Sequence, residues 1–115
     1  MQYFDPDAGG DLKAAFEAMI DPWPRVTGTT MFGCPSYRAE DTLFAVLVTE
    51  GVVLTKLPED RREEIAEGFE TGPFQAGGRT ITKWVQITVE NSDAIETLQP
   101  FVEASYEAAL AEAED

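Results

Sequence analysis

An unbroken apolar run, followed at once by a turn and a second apolar run, constrains the fold of this chain more than any other feature. Residues 43–48 (LFAVLV) contain no polar side chain, which is typical of a strand that is covered on both faces. Glu50-Gly51 then predicts a tight turn, and Val52–Leu57 predicts the next strand. The two runs together predict a hairpin. Other parts of the chain must cover both faces of its first strand.

The segments around this hairpin predict three helices and three further strands. Apolar residues at i, i+3, i+4 and i+7 indicate the helices, and alternation with a period of two indicates the strands. The predicted order is a helix over Asp11–Ile20, strands over Thr29–Arg38, Leu43–Thr49 and Val52–Leu57, a helix over Pro58–Phe69, strands over Phe74–Ala76 and Thr80–Val89, and a helix from about Thr97. Gly33 and Pro35 are expected either to distort the first strand or to mark it as an edge strand.

Mixed strands and segregated helices predict the α+β class, with an antiparallel sheet packed against helices. The predicted element order is α-β-β-β-α-β-β-α. A length of 115 residues fits one domain. We expect that domain over residues 1–115, with its core at about 11–113.

The chain is strongly acidic, which narrows its partners. It carries 22 Asp and Glu against 8 Lys and Arg, for a formal net charge of −14 at pH 7. Such a charge repels the phosphates of DNA and RNA and the anionic inner leaflet of a membrane, so neither kind of partner is expected. Abundant acids with few lysines indicate a salt-rich cytosol, in which self-repulsion is screened. The alternative is an ordinary acidic protein in moderate salt.

The cysteine and histidine content excludes several chemistries. The chain has one cysteine, Cys34, and no histidine, which excludes an internal disulfide and a histidine-activated nucleophile. Cys34 is a nucleophile only if its pKa is lowered, and a buried core position is the favoured interpretation. The carboxylates show no calcium-loop spacing, and no metal or other cofactor is predicted. With no signal peptide and no apolar run long enough to cross a bilayer, we expect a cytoplasmic protein.

Several short motifs occur in the order found in a known family. They are Met31-Phe32-Gly33-Cys34-Pro35, Leu43-Phe44-Ala45, Val53-Leu54-Thr55-Lys56-Leu57, Pro73-Phe74 and Gly78-Arg79. Over residues 27–113 the chain resembles the N-terminal domain family of the competence regulator TfoX. The resemblance implies an α+β fold of the type shared with secretion-chaperone-like domains. It implies no enzyme, because the family has no agreed catalytic site.

The chain departs from this family in two respects. Family members often place a glycine in the turn before the second strand, where this chain has Glu40-Asp41. Asp can adopt the left-handed conformation that a tight turn requires, though less easily than Gly. The regulator also carries a C-terminal domain that has no counterpart in this sequence, so the resemblance carries over no transcriptional role.

Four of the eight cations lie in or beside the strands of the family core: Arg38, Lys56, Arg79 and Lys83. A cluster of them can bind a small anion or a carboxylate of a partner, and the backbone N–H groups of Gly77-Gly78 can assist Arg79. The favoured alternative is that each cation pairs with a neighbouring acid at the surface. Lys83 shares strand parity with apolar neighbours, so an inward Lys83 would have to reach a partner.

Two functional hypotheses follow. The first is a non-enzymatic interaction module that binds a protein partner or itself, with a homodimer as one form. It rests on the resemblance, on the lack of a catalytic constellation and on a sheet whose second face needs cover. The second is a small-anion or metabolite-binding protein, or an enzyme, built around Lys56, Arg79 and Lys83. A deep pocket onto which these cations converge favours the second hypothesis, and cations scattered among surface acids favour the first.

Overall fold

The computed structural model describes the backbone of residues 6–31, 33–49, 51–76, 79–89 and 94–114, and the side chains within 9–31, 33–49, 51–73, 84–89 and 94–113. The elements in this part of the chain are α1 (Pro6–Ile20), β1 (Val26–Met31), β2 (Cys34–Ala39), β3 (Thr42–Val48), β4 (Gly51–Leu54), α2 (Glu59–Gly68), β5 (Thr71–Ala76), β6 (Arg79–Thr88) and α3 (Ile95–Glu114). The predicted α+β class is confirmed.

The six strands form one sheet in the order β1-β2-β3-β4-β6-β5, and each neighbouring pair is antiparallel. The predicted central hairpin is confirmed. Ala45 lies opposite Leu54, and Val48 lies opposite Gly51. The chain places β4 beside β6 and leaves β5 at the edge, so β1 and β5 are the two edge strands.

The first predicted strand, Thr29–Arg38, is two strands in the structure. β1 and β2 form a hairpin that closes where Met31 lies opposite Cys34. Gly33 has a φ of 76°, a conformation that glycine adopts without steric cost and that reverses the chain direction here. The sequence predicts one strand that Gly33 either distorts or marks as an edge, because glycine permits an extended backbone as readily as a left-handed one.

The observed helix boundaries also differ from the predicted ones. α1 begins at Pro6, five residues before the predicted N-cap Asp11. Proline suits a first helical position, because its missing N–H has no partner there anyway. The helix ends at Ile20, as predicted. α3 begins at Ile95, before the predicted Thr97.

Both faces of the central hairpin are buried within a single chain. Phe44, Ala45, Val46 and Leu47 are all fully inaccessible to solvent, although successive residues of a strand point to opposite faces. Helix α3 packs against β3 and β2 and also contacts α1. The prediction that the first strand of the hairpin is covered on both faces is therefore confirmed, and the centre of the sheet needs no second copy to cover it.

Two non-glycine residues with positive φ face each other at the end of the β1–β2 hairpin. They are Arg25, with a φ of 68°, and Glu40, with a φ of 57°. The Glu40 N–H donates to the Arg25 carbonyl oxygen at 3.0 Å, and Arg25 Nε lies 3.1 Å from Glu40 Oε1. In the Glu40-Asp41 turn it is therefore Glu40, and not Asp41, that takes the left-handed conformation.

Candidate functional site

Strand β1 presents an open, uncharged edge. Residues 27–30 are exposed, and Val26 and Met31 at its two ends are half-buried. Its six residues pair with β2 in one uninterrupted register, from Val26 opposite Ala39 to Met31 opposite Cys34. Natural edge strands are commonly protected by charges, proline or a bulge. β1 contains none of the three.

The hydrogen-bond pattern shows which backbone groups of β1 face outward. Paired residues in an antiparallel ladder alternate between hydrogen-bonded and non-hydrogen-bonded pairs. The Glu40 N–H bond to Arg25 marks that pair as hydrogen-bonded, so the alternation directs the N–H and C=O groups of Val26, Gly28 and Thr30 away from β2. Thr30 lies opposite Pro35, which has no N–H to donate, in agreement with this assignment.

The opposite edge, β5, is closed. Thr88 N–H donates to the Glu70 carbonyl oxygen at 3.0 Å. The pair of Pro73 and Val85 is three positions further along the ladder. Because hydrogen-bonded and non-hydrogen-bonded pairs alternate, this pair is non-hydrogen-bonded, and the Pro73 nitrogen points outward. A nitrogen without a hydrogen cannot donate to an added strand. The register also shifts between Pro73 and Phe74, which interrupts the edge further.

The cation Lys56, from the predicted anion site, forms an ion pair with α3. Its Nζ lies 2.8 Å from Glu112 Oε2, and about a third of the Lys56 side chain is exposed. The Lys56 N–H donates to Ser105 Oγ at 3.1 Å. In the structure Lys56 therefore pairs with a partly exposed carboxylate of α3.

Ser105 is a buried residue that joins α3 to the central hairpin. Its hydroxyl donates to the Phe44 carbonyl oxygen at 2.8 Å and accepts the Lys56 N–H. Thr55 binds the same strand, because its N–H donates to the Phe44 carbonyl and its hydroxyl donates to the Leu43 carbonyl at 2.7 Å. The next N–H, that of Lys56, turns to Ser105 and leaves the sheet. Strand β4 ends at Leu54, three residues before the predicted end.

The structure does not bring the predicted cations together in the part that it describes. Arg38 is exposed on β2, opposite Leu43, and no described contact joins it to Lys56. Arg79 and Lys83 belong to the backbone of β6, but their side chains lie outside the described residues, as does Gly77-Gly78. The anion site therefore stays a prediction.

Cys34 lies in the core, as predicted. Its side chain is fully inaccessible, and burial raises the pKa of the thiol above its ordinary value. A raised pKa keeps the sulfur protonated at neutral pH, and the thiolate is the nucleophilic form. Burial and the raised pKa therefore favour the unreactive thiol form of Cys34.

Two tyrosines anchor polar contacts at the rim of the core. Tyr37 donates to Glu17 Oε2 at 2.8 Å, and burial together with that carboxylate raises its pKa well above the ordinary range. Tyr106 donates to the Pro24 carbonyl oxygen at 2.5 Å, and burial raises its pKa. The Tyr106 ring also packs against Trp23, with 4.9 Å between ring centroids. These contacts attach α1 to β2 and attach α3 to the segment before β1.

A shallow surface depression of about 560 Å³ runs along α2, lined by Glu59, Arg62, Glu63 and Ala66. It contains none of the four predicted cations. Helix α2 contributes a single buried residue, Ile65. The depression is therefore the outer face of a lightly packed helix, with mixed charges that suit solvent.

Within the described residues, no group of three or more Cys, Asp and Glu side chains is placed to hold a metal ion. The same residues contain no helix that is both long enough and apolar enough to cross a membrane.

The sequence offers an edge as one interpretation of Gly33 and Pro35, but it does not predict a binding site at the outer edge of β1. One signal was available: residues 26–37 form the longest stretch of the chain without a charged side chain, although a quarter of all residues are charged. That stretch contains both β1 and β2. Only the pairing order shows that β1 lies at the edge.

Comparison with known proteins gives one match. The family model of the TfoX N-terminal domain matches residues 18–109 of the 115-residue chain, which covers the described sheet and most of α3. No curated protein and no solved structure matches the chain.

Proposed function

The chain belongs to the TfoX N-terminal domain family, and on that basis we propose that it is a cytoplasmic, non-enzymatic interaction module that binds a strand of a protein partner at the outer edge of β1. The open edge carries this proposal. Strand addition to an exposed sheet edge is an established mode of peptide recognition, in which main-chain hydrogen bonds supply affinity. Val26, Gly28 and Thr30 offer outward N–H and C=O groups for such bonds.

Charge supports a protein strand as the ligand. β1 has no charged side chain, so an uncharged strand can approach without leaving an ion unpaired. Two exposed cations lie beside this strand: Arg25, which pairs with Glu40, and Arg38, which lies opposite Thr27. Although the chain has a net charge of −14, residues 26–37 contain no acidic side chain, and a neutral or mildly acidic strand suits this edge.

The described side chains give little support to a catalytic alternative. The Lys56 ammonium group is held by Glu112, the Cys34 thiol is buried with a raised pKa, and the chain has no histidine. An anion-binding site would need cations that converge on one cavity. Arg38 and Lys56 have no described contact with each other.

The acidic composition supports a salt-rich cytosol as the working environment. At about 1 M salt the Debye length is only about 3 Å, which screens repulsion among surface carboxylates. We expect the melting temperature to rise steeply between low and molar KCl, followed by circular dichroism. A melting temperature that stays level over this range would mean that the acidity is not an adaptation to salt.

Amide hydrogen exchange of the purified chain tests the binding mode. The probe is a capped six-residue peptide of alternating Thr and Val, and the control peptide carries proline at every second position, so that it cannot form a ladder. We expect the Thr-Val peptide to slow exchange at Val26, Gly28 and Thr30, and the proline peptide to leave it unchanged.

Two outcomes would contradict the proposal. In the first, neither peptide slows exchange in β1. In the second, inorganic phosphate shifts the amide resonances around Arg38 and Lys56 while the peptide shifts none, which favours the anion-binding alternative.

A further inference from the structure

We propose that a second copy of this chain occupies the β1 edge, with the two β1 strands antiparallel and Gly28 of one copy opposite Gly28 of the other. This inference rests on the proposed function, because it names the partner strand. The result is a two-fold symmetric dimer with one continuous sheet that passes from one copy into the next. The interface is isologous, because the same edge serves both copies.

The spacing of the outward groups makes this edge self-complementary. The outward residues Val26, Gly28 and Thr30 are symmetric about Gly28. With Gly28 opposite its own counterpart, Val26 of each copy lies opposite Thr30 of the other. These three hydrogen-bonded pairs supply two N–H···O=C bonds each, so all six outward groups of each strand are used. No outward group of β1 is then left unpaired.

The side chains of the alternate residues fit the same register. Thr27 of one copy lies opposite Thr29 of the other, and both are exposed in the single chain. Thr–Thr cross-strand pairs are favourable in antiparallel sheets. No charge is brought against a like charge along the strand, which matters because each copy carries a formal charge of −14.

A second copy also has an advantage over an unstructured peptide. Its β1 is already extended and held against β2 through six consecutive pairs. A free peptide loses backbone entropy when it becomes a strand, whereas a strand that is already folded loses little. Every copy of the chain carries this edge, so in any solution the ligand strand is as concentrated as the edge that it binds.

The size of the contact predicts a weak dimer. One added strand pair buries less than the roughly 1,200 Å² typical of stable complexes. We therefore expect a Kd of about 10⁻⁵ to 10⁻⁴ M. Since both copies are acidic, the dimer should tighten as salt rises.

Sedimentation equilibrium of the full chain tests the proposal, in about 1 M KCl and from about 10 μM to about 1 mM protein. We expect the parent chain to pass from monomer to dimer over this range. Thr30→Pro removes one outward N–H and places a ring at the edge, while the bonds to β2 remain because Thr30 faces Pro35 at a non-hydrogen-bonded position. We expect the Kd of this variant to rise at least about tenfold.

Thr30→Ala is the matched control, because it removes the same side chain and keeps the N–H. Its Kd should stay within about twofold of the parent value. Circular dichroism melts of both variants show that each is folded. A parent chain that stays monomeric at about 1 mM, or a Thr30→Pro variant that dimerises as well as Thr30→Ala, would overturn the inference.

A charge exchange tests the register and does not depend on proline. One chain carries Thr27→Lys with Thr29→Lys, and another carries Thr27→Glu with Thr29→Glu, all at exposed positions. Each should be monomeric alone, because like charges then lie directly opposite, and an equimolar mixture should form a heterodimer. A mixture that stays monomeric while the parent chain dimerises would exclude this register.

The peptide experiment separates the two proposals. If the Thr-Val peptide slows exchange at Gly28 and the parent chain stays monomeric, the interaction module stands and the dimer is wrong. If the peptide does not bind and no dimer forms, both are wrong.

Discussion

The two edges of the sheet are built in opposite ways. β5 has Pro73, whose nitrogen points outward without a hydrogen, and a register shift in the next residue. β1 has an uninterrupted register and outward N–H groups at Val26, Gly28 and Thr30. The two devices at β5 are the usual means by which proteins prevent unwanted strand pairing.

Protection of the sheet edges in this chain is therefore selective. The same chain closes one edge by backbone chemistry and leaves the other without proline, charge or bulge. An open edge is a liability for aggregation unless something occupies it. We propose that β1 is the edge that associates and that β5 is the closed end of the sheet, and five predictions test this contrast.

The largest loss of stability should come from a substitution in β4 where this strand pairs with β6. A Cβ added at Gly51 would overlap the Ile87 carbonyl oxygen and lie 3.3 Å from Thr88 Cα, both of them backbone atoms that cannot move aside cheaply. We expect Gly51→Ala to lower the free energy of unfolding by about 3 kcal/mol or more, measured by urea denaturation.

Gly28→Ala in β1 is the matched control for this substitution. Its Cβ would lie 3.9 Å from Tyr37 Cε1, an ordinary contact, so stability should change by less than about 0.5 kcal/mol. Equal losses at both glycines would contradict the pairing of β4 with β6.

The next effect should appear when the closed edge is opened. Pro73→Thr restores an outward N–H at an exposed position of β5, so the chain would then have two open edges and could add copies at both. We expect self-association measured by light scattering to rise roughly tenfold. The control is Pro58→Ala, at the N-cap of α2 and away from either edge. If the two variants associate equally, the register shift alone closes β5.

A moderate loss of stability is expected from a substitution in β2, the strand that pairs with β1. Tyr37→Phe removes the bond from the Tyr37 hydroxyl to Glu17, and because Glu17 is nearly half exposed the loss in unfolding free energy should be about 1 kcal/mol. Glu17→Gln keeps an acceptor for Tyr37 and loses only the surface ion pair between Lys13 Nζ and Glu17 Oε2, worth about 0 to 1 kcal/mol, so it should cost less. A loss for Glu17→Gln well above about 1 kcal/mol would contradict this account.

Tyr37 also makes the free energy of unfolding depend on pH. The pKa of Tyr37 is raised in the folded chain, so the folded state disfavours the phenolate. The stabilising contribution is fully present below the unfolded pKa of about 10 and is lost as the pH rises above it. The parent should therefore lose stability above about pH 10 more steeply than Tyr37→Phe does, followed by urea denaturation at several pH values.

The smallest effect concerns the turn that ends the β1–β2 hairpin. Glu40→Gly relieves a left-handed backbone that costs a non-glycine residue about 1 kcal/mol, but it removes a surface ion pair with Arg25 worth about 0 to 1 kcal/mol. The net change should be within about 1 kcal/mol and favourable if it is measurable. Asp41→Gly, at negative φ, relieves nothing and should be the less stable of the two.

The sequence predicted the parts of the fold that depend on local pattern. The apolar run 43–48 identified the central hairpin, because a strand buried on both faces has no polar alternation. The end of α1 at Ile20 followed from helical spacing and from Pro22. The division of the first strand was missed, because positive φ at Gly33 is a property of the backbone that the residue type permits without requiring.

The candidate site was less predictable, for a different reason. The partner of Lys56 is Glu112 on α3, and nothing local to either residue indicates that pairing. The open edge depends on which strands pair, and β5 reaches its edge position only because β6 inserts beside β4. Long-range pairing of this kind is decided by the whole chain.

The Ser105 bond also bears on the order in which the chain folds during synthesis. Ser105 and Phe44 are separated by 61 residues, and Tyr106 and Pro24 by 82. The ribosome therefore completes the central hairpin well before α3 exists, and until then water must solvate the backbone groups that Ser105 later satisfies. Contacts this distant in sequence slow folding, because a long loop must close before they form. The nascent chain would thus expose its most apolar hairpin until α3 has been made, which makes that segment the one that a chaperone would have to protect.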